Sequence, residues 1–222
     1  MSANRLAIVR EIEDAGVIAV IRLSNGGQLR AVADALIEGG VRALEVTMTV
    51  PRAASLIEEL ASSLPSGVLI GAGTVLDPQT AADVIHSGAR FVVSPVLRRS
   101  LIDTCHRHDV PMMPGCFTPT EILDAWEAVA DLVKVFPATA LGPGYFKDIR
   151  GPLPQVRLVP TGGVTRDNAG DWIRAGAVAI GVGTALVDRT AVDERRFDVI
   201  TANARHFVSA VQHARARATV GA

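Results

Sequence analysis

The chain has 222 residues, 49% of them hydrophobic, and a formal net charge of −1 from 22 basic and 23 acidic side chains. That length allows one large domain or two small ones with a sizeable core, and the near-neutral balance leaves no global field to attract nucleic acid or an anionic membrane. Only Cys105 and Cys116 are present, which makes no disulfide framework and suits a reducing compartment, so a cytoplasmic location is expected.

At the N-terminus Arg5 and Arg10 precede Glu11, Glu13 and Asp14 without a long apolar stretch, so no signal peptide is read there. No apolar run reaches the length of a membrane span. Thereafter short, β-rich apolar runs alternate with longer amphipathic segments about eight times. Strands are predicted at 17–22, 43–47, 69–73, 91–94, 112–116, 132–136, 157–161 and 178–182. Helices are predicted at 28–38, 52–64, 79–87, 99–108, 120–129, 145–149 (short) and 167–175, with a last helix over 195–216. Gly39-Gly40, Ser87-Gly88 and Ala175-Gly176 fall where helices should end. Asp77-Pro78 and Thr118-Pro119 place proline near helix starts, where its missing N–H costs little. No linker divides the chain, so residues 1–222 are expected to form one α/β domain. Its simplest form is a closed (β/α)8 TIM barrel, with a doubly wound open sheet as the alternative.

Two lysines occur, Lys134 and Lys147, against 20 arginines. Lys134 lies inside Leu132-Val133-Lys134-Val135-Phe136, a run that reads as a buried strand. A cation there must be neutralised, paired or functional; in its neutral form the amine suits covalent chemistry with carbonyls. A structural lysine paired with an inward carboxylate is the plainer possibility. Period-two alternation puts Leu132, Lys134 and Phe136 on one face and Val133 and Val135 on the other. It likewise aligns Glu45 with Ala43 and Thr47, leaving Leu44 and Val46 for the helices. Lys134 and Glu45 therefore point into the same confined space. Lys147 is read as solvent-exposed.

In a barrel, chemistry gathers at the C-terminal ends of the strands. Polar and glycine residues do concentrate there: Arg22, Thr47, Gly73-Thr74, Ser94-Pro95, Pro114-Gly115 and Phe136, then Thr161-Gly162-Gly163 and Gly183-Thr184. The last two clusters follow strands seven and eight, the recurrent phosphate site of this fold. Tight βα turns would also explain their glycines. No metal-ligand spacing is present, since His106 and His108 stand two apart in a polar segment and no CxxC or HExxH occurs.

Leu44-Glu45-Val46-Thr47, Gly71-Ala72-Gly73-Thr74-Val75, Phe91-Val92-Val93-Ser94-Pro95, Pro114-Gly115, Lys134-Val135-Phe136-Pro137, Pro160-Thr161-Gly162-Gly163-Val164 and Gly181-Val182-Gly183-Thr184 are similar, in order and spacing, to motifs of the KDPG/KHG aldolases. The resemblance covers nearly the whole chain. It implies a class I, Schiff-base aldolase without cofactor or metal, a homotrimer acting on a small keto-acid sugar phosphate and on neither nucleic acid nor membrane. The implied reaction splits 2-keto-3-deoxy-6-phosphogluconate into pyruvate and glyceraldehyde 3-phosphate. The galactonate-derived isomer and 4-hydroxy-2-oxoglutarate are the alternative substrates, and a phosphate-binding barrel isomerase or synthase without imine chemistry is the alternative function. By the same resemblance Lys134 is the Schiff-base lysine and Glu45 the proton shuttle, working with a bound water. Thr74, Pro95 and Phe136 line the pyruvyl part. Thr161 contacts substrate, and Gly162, Gly163, Gly183 and Thr184 take the phosphate end. Thr49 departs from the pattern, because one branch has an arginine there that grips the substrate carboxylate. Arg22 is the nearest replacement, able to hold a carboxylate or a phosphate through two hydrogen bonds.

Overall fold

A computed structural model describes residues 3–220. In chain order the elements are α1 (Ala3–Ala15), β1 (Val17–Ile21), α2 (Leu29–Glu38), β2 (Ala43–Thr47), α3 (Ala53–Ser63), β3 (Leu69–Gly73), α4 (Pro78–His86) and β4 (Val92–Val93). They continue with α5 (Arg99–Arg107), β5 (Met112–Met113), β6 (Gly115–Cys116), α6 (Pro119–Glu127), β7 (Val133–Val135) and α7 (Gly142–Arg150). The last are β8 (Leu158–Pro160), α8 (Ala169–Arg174), β9 (Ile180–Val182), α9 (Arg189–Asp193) and α10 (Phe197–Val220).

Among the described residues every strand pairing is parallel. Six strands follow the order β5-β4-β3-β2-β1-β9 and three follow β6-β7-β8, giving an α/β fold with a curled parallel sheet. The expected strand over 112–116 is divided in two. Pro114 has no N–H for the ladder, and only its carbonyl stays in use, accepting from the Lys134 amide at 2.9 Å. The strand expected over 91–94 pairs only at Val92 and Val93. At the helix ends the punctuation works as read. Gly40, Gly88 and Gly176 sit just past α2, α4 and α8 with φ of 95°, 100° and 100°, a conformation that side chains resist. Asp77 caps α4 by accepting from Thr80 N–H, and Thr118 with Glu121 forms a capping box at α6.

Side-chain alternation sorts the core into two clusters. Leu44, Val46, Val133 and Val135 belong to the outer one, between sheet and helices. The inner one takes Ile18, Ala43, Leu69, Phe91, Met113, Leu132, Val159 and Ala179 from or beside the early residues of the strands, together with Ile8, Val9 and Ile12 of α1. Helix α1 therefore closes off the N-terminal ends of the strands. Two residues further along each strand, the same face carries Val20, Glu45, Gly71, Val93, Gly115, Lys134, Thr161 and Gly181. Three glycines in that layer make the space in which a site can form.

Candidate functional site

At the C-terminal ends of the strands lies a cavity of about 260 Å³. Ten of the eleven residues expected at the site line it: Lys134, Arg22, Thr74, Pro95 and Phe136, with Thr161, Gly162, Gly163, Gly183 and Thr184. Lys134 reaches it from the middle of β7, only 5% exposed, with Nζ 5.0 Å from the centre of the Phe136 ring. Lys147 is exposed on α7, as read from the sequence.

Glu45 is the eleventh, and it does not form part of the cavity lining. It is 2% exposed on β2, in register with Gly71 of β3. A Cβ on Gly73 would run into the Glu45 carboxyl, so this glycine serves to leave room for the acid rather than to make a turn. Gly71 does the same for the Phe91 ring, which fills the space beneath. Burial raises the proton affinity of Glu45 above the ordinary carboxyl value; the positive charges of Lys134 and Arg22 oppose the shift without overcoming it. Its Oε1 has no hydrogen-bond partner among the described residues. Glu45 is thus an acid in electrostatic contact with the buried Lys134 amine, with a spare oxygen for a proton.

The loop after β8 is held by the Asn168 side chain. Asn168 donates from Nδ2 to the Gly163 carbonyl at 2.9 Å and accepts at Oδ1 from Thr165 N–H at 2.8 Å. Gly162 and Gly163 adopt φ of 87° and 72° and pack over Thr139. Thr161 bridges to Gly181, whose missing side chain accommodates the Thr161 hydroxyl. Thr74, at the end of β3, has φ of 60°, an uncommon state for a β-branched residue that persists where its surroundings impose it.

Thr49 lies outside the cavity lining, its hydroxyl 2.7 Å from that of Thr47, which donates to the Ile21 carbonyl at 3.1 Å. Arg22 does line the cavity. Sequence reasoning missed Val20, Ala185, Val187 and Arg189 in the wall, and used Val164 and Gly181 only as parts of motifs. Val20 follows from the period-two pattern of β1; Ala185 and Val187 stand beyond β9 and Arg189 opens a five-residue helix, where no periodicity points.

The family model described as "Aldolase: KDPG and KHG aldolase" matches residues 8–203. The chain is 35% identical over 181 residues to the 2-dehydro-3-deoxy-phosphogluconate aldolase of Pseudomonas aeruginosa, covering 81% of this chain and 82% of that one. It is 37% identical over 178 residues to the KHG/KDPG aldolase of Escherichia coli, covering 80% and 83%. Among solved structures it resembles the KDPG aldolase of Legionella pneumophila with pyruvate captured as a covalent carbinolamine, at a TM-score of 0.83 and 32% identity over 89% of this chain and 96% of that one.

Proposed function

The chain belongs to the KDPG and KHG aldolase family, and from that premise we propose that it cleaves 2-keto-3-deoxy-6-phosphogluconate to pyruvate and glyceraldehyde 3-phosphate through a Schiff base on Lys134. The observation that carries this reading is a nearly buried lysine at the wall of a polar cavity, coupled electrostatically to a buried glutamate.

The neutral Lys134 amine attacks the C2 ketone to give a carbinolamine. Glu45, acting through a bound water, supplies the proton with which the C2 hydroxyl leaves as water, and a protonated imine results. That cation accepts the electrons of the C3–C4 bond as it breaks. The C4 hydroxyl gives its proton to Glu45, the aldehyde departs, and an enamine of pyruvate remains on Lys134. Protonation at C3 and hydrolysis then free pyruvate and the lysine. A carboxyl whose pKa is raised by burial exchanges protons nearer neutral pH than an ordinary one, which suits both steps. Thr74, Pro95 and Phe136 line the pyruvyl part and Thr161 contacts the substrate. The N–H groups of Gly162, Gly163 and Gly183, with the Thr184 hydroxyl, face the phosphate.

Steady-state rates on this substrate, on its galactonate-derived isomer and on 4-hydroxy-2-oxoglutarate test the assignment. The highest kcat/KM is expected on the gluconate-derived compound; a higher value on either of the others would reassign the substrate.

The same reading takes residues 1–222 as one closed (β/α)8 barrel in the cytoplasm. Pro114 divides its fifth strand, and the Thr161–Gly181 bridge joins its two sheets. Among the described residues no helix is long and apolar enough to cross a membrane. A homotrimer belongs to the proposal. Leu76, Val96 and Phe117, on the turns after β3, β4 and β6, Leu123 on α6 and Val129 just past it are large apolar side chains left exposed, and burying such side chains favours self-association. Light scattering should return a molar mass three times that of the chain, and Phe117→Asp should lower it. A monomeric wild-type protein would remove the trimer from the proposal.

A further inference from the structure

Most arginines with a fixed partner in this fold sit on the outer surface, such as Arg30 with Asp34, Arg157 with Glu13 and Arg205 with Glu38. Arg22 and Arg189 are exposed as well, but neither guanidinium makes a hydrogen bond or ion pair with another described residue, and both line the cavity that holds Lys134. They also share, with Val187, a small adjoining cleft that runs to Asp193. The described cavity wall thus carries two guanidiniums, Arg22 and Arg189, besides the Lys134 amine, and no carboxylate. Like charges gathered round one space repel each other, and an anion entering that space relieves the repulsion.

Position decides which anion. Strand β1 pairs in parallel with β9, Ala19 opposite Val182, so Gly183 leaves the sheet next to Val20 and Arg22 follows two residues along the same edge. Arg189 opens α9, a few residues further on. Both guanidiniums therefore stand at the β1–β9 corner with the N–H groups expected to face phosphate. Thr74 and Pro95 follow β3 and β4, and Thr49 is turned onto Thr47.

We infer that Arg189 is a specificity-determining residue: with Arg22 it grips the phosphate of the substrate, so that the chain selects phosphorylated keto acids over phosphate-free 4-hydroxy-2-oxoglutarate. The inference rests on the aldolase reading above. A dianionic phosphate offers oxygens enough for two bidentate guanidiniums as well as the backbone donors. Arg189 has no part in the bond-breaking steps, so its contribution belongs to binding.

The test compares wild type with Arg189→Ala and Arg189→Lys on phosphorylated substrate and on 4-hydroxy-2-oxoglutarate. For Arg189→Ala the ratio of kcat/KM between the two substrates should fall about 10- to 100-fold, the worth of a charge-assisted contact. The fall should come through KM on the phosphorylated substrate, and Arg189→Lys should recover part of it. Inorganic phosphate, used as a competitive inhibitor, should weaken by a similar factor; this decides the matter where 4-hydroxy-2-oxoglutarate turns over too slowly. An unchanged ratio with unchanged phosphate inhibition overturns the inference, as does an equal loss on both substrates. Borohydride trapping of pyruvate on the wild-type protein keeps the two failures apart. No label on Lys134 refutes the aldolase reading itself; label together with an undiminished ratio refutes only the arginine grip.

Discussion

Borohydride reduction in the presence of pyruvate is expected to fix one pyruvyl group on Lys134 and none on Lys147. Both are primary amines, so the difference must come from their surroundings. Lys134 is nearly buried at the wall of the cavity, beside the Phe136 ring. Lys147 is exposed on α7, where it can orient no keto acid. Lys134→Arg keeps the positive charge but removes the nucleophile. Its turnover should fall by about 10⁴-fold or more, the scale seen when a covalent nucleophile is removed. Peptide mapping of the reduced protein by mass spectrometry reads the site directly. An unchanged intact mass after trapping would exclude Schiff-base chemistry.

Glu45→Gln should lower turnover by about 10²–10⁴-fold, the usual worth of a general acid–base group, while raising stability near neutral pH. The second effect follows from the sign of the shift. Burial raises the folded-state pKa of Glu45 above the ordinary value of 4.5. Between those two values the folded chain holds a proton that the unfolded chain has released, so rising pH removes stability across that window. Glutamine, neutral at every pH, escapes this loss. Thermal melts should therefore show the variant above wild type near neutral pH, with the gap closing below about pH 4. A variant of normal turnover would make Glu45 a structural partner of Lys134. Gly73→Ala reaches the same acid from across the sheet. Its added methyl meets the Glu45 carboxyl first and should displace it, costing about 10²-fold in rate.

Much of this site was legible because its marks are local. Alternation along 132–136 and 43–47 is a property of extended backbone, and it puts Lys134 and Glu45 on the inward face; the inner and outer clusters follow that division. Scarcity of lysine made Lys134 conspicuous, and the glycine-rich strand ends marked the turns around the cavity.

What the tertiary structure alone decided depends on residues far apart in the chain. Helix α1 carries Ile8, Val9 and Ile12, yet only the curl of the sheet shows that these side chains cover its N-terminal end. Gly73 is in sequence only a glycine at a strand end; the packing of β2 against β3 shows that it makes room for Glu45. Arg189 lies on a turn of helix too short to carry a periodic pattern, and only the pairing of β1 with β9 brings it to the cavity beside Arg22. Pattern along a chain fixes which way a side chain faces. Which distant residue it faces is set by register and curvature, and these arise only when the sheet is assembled.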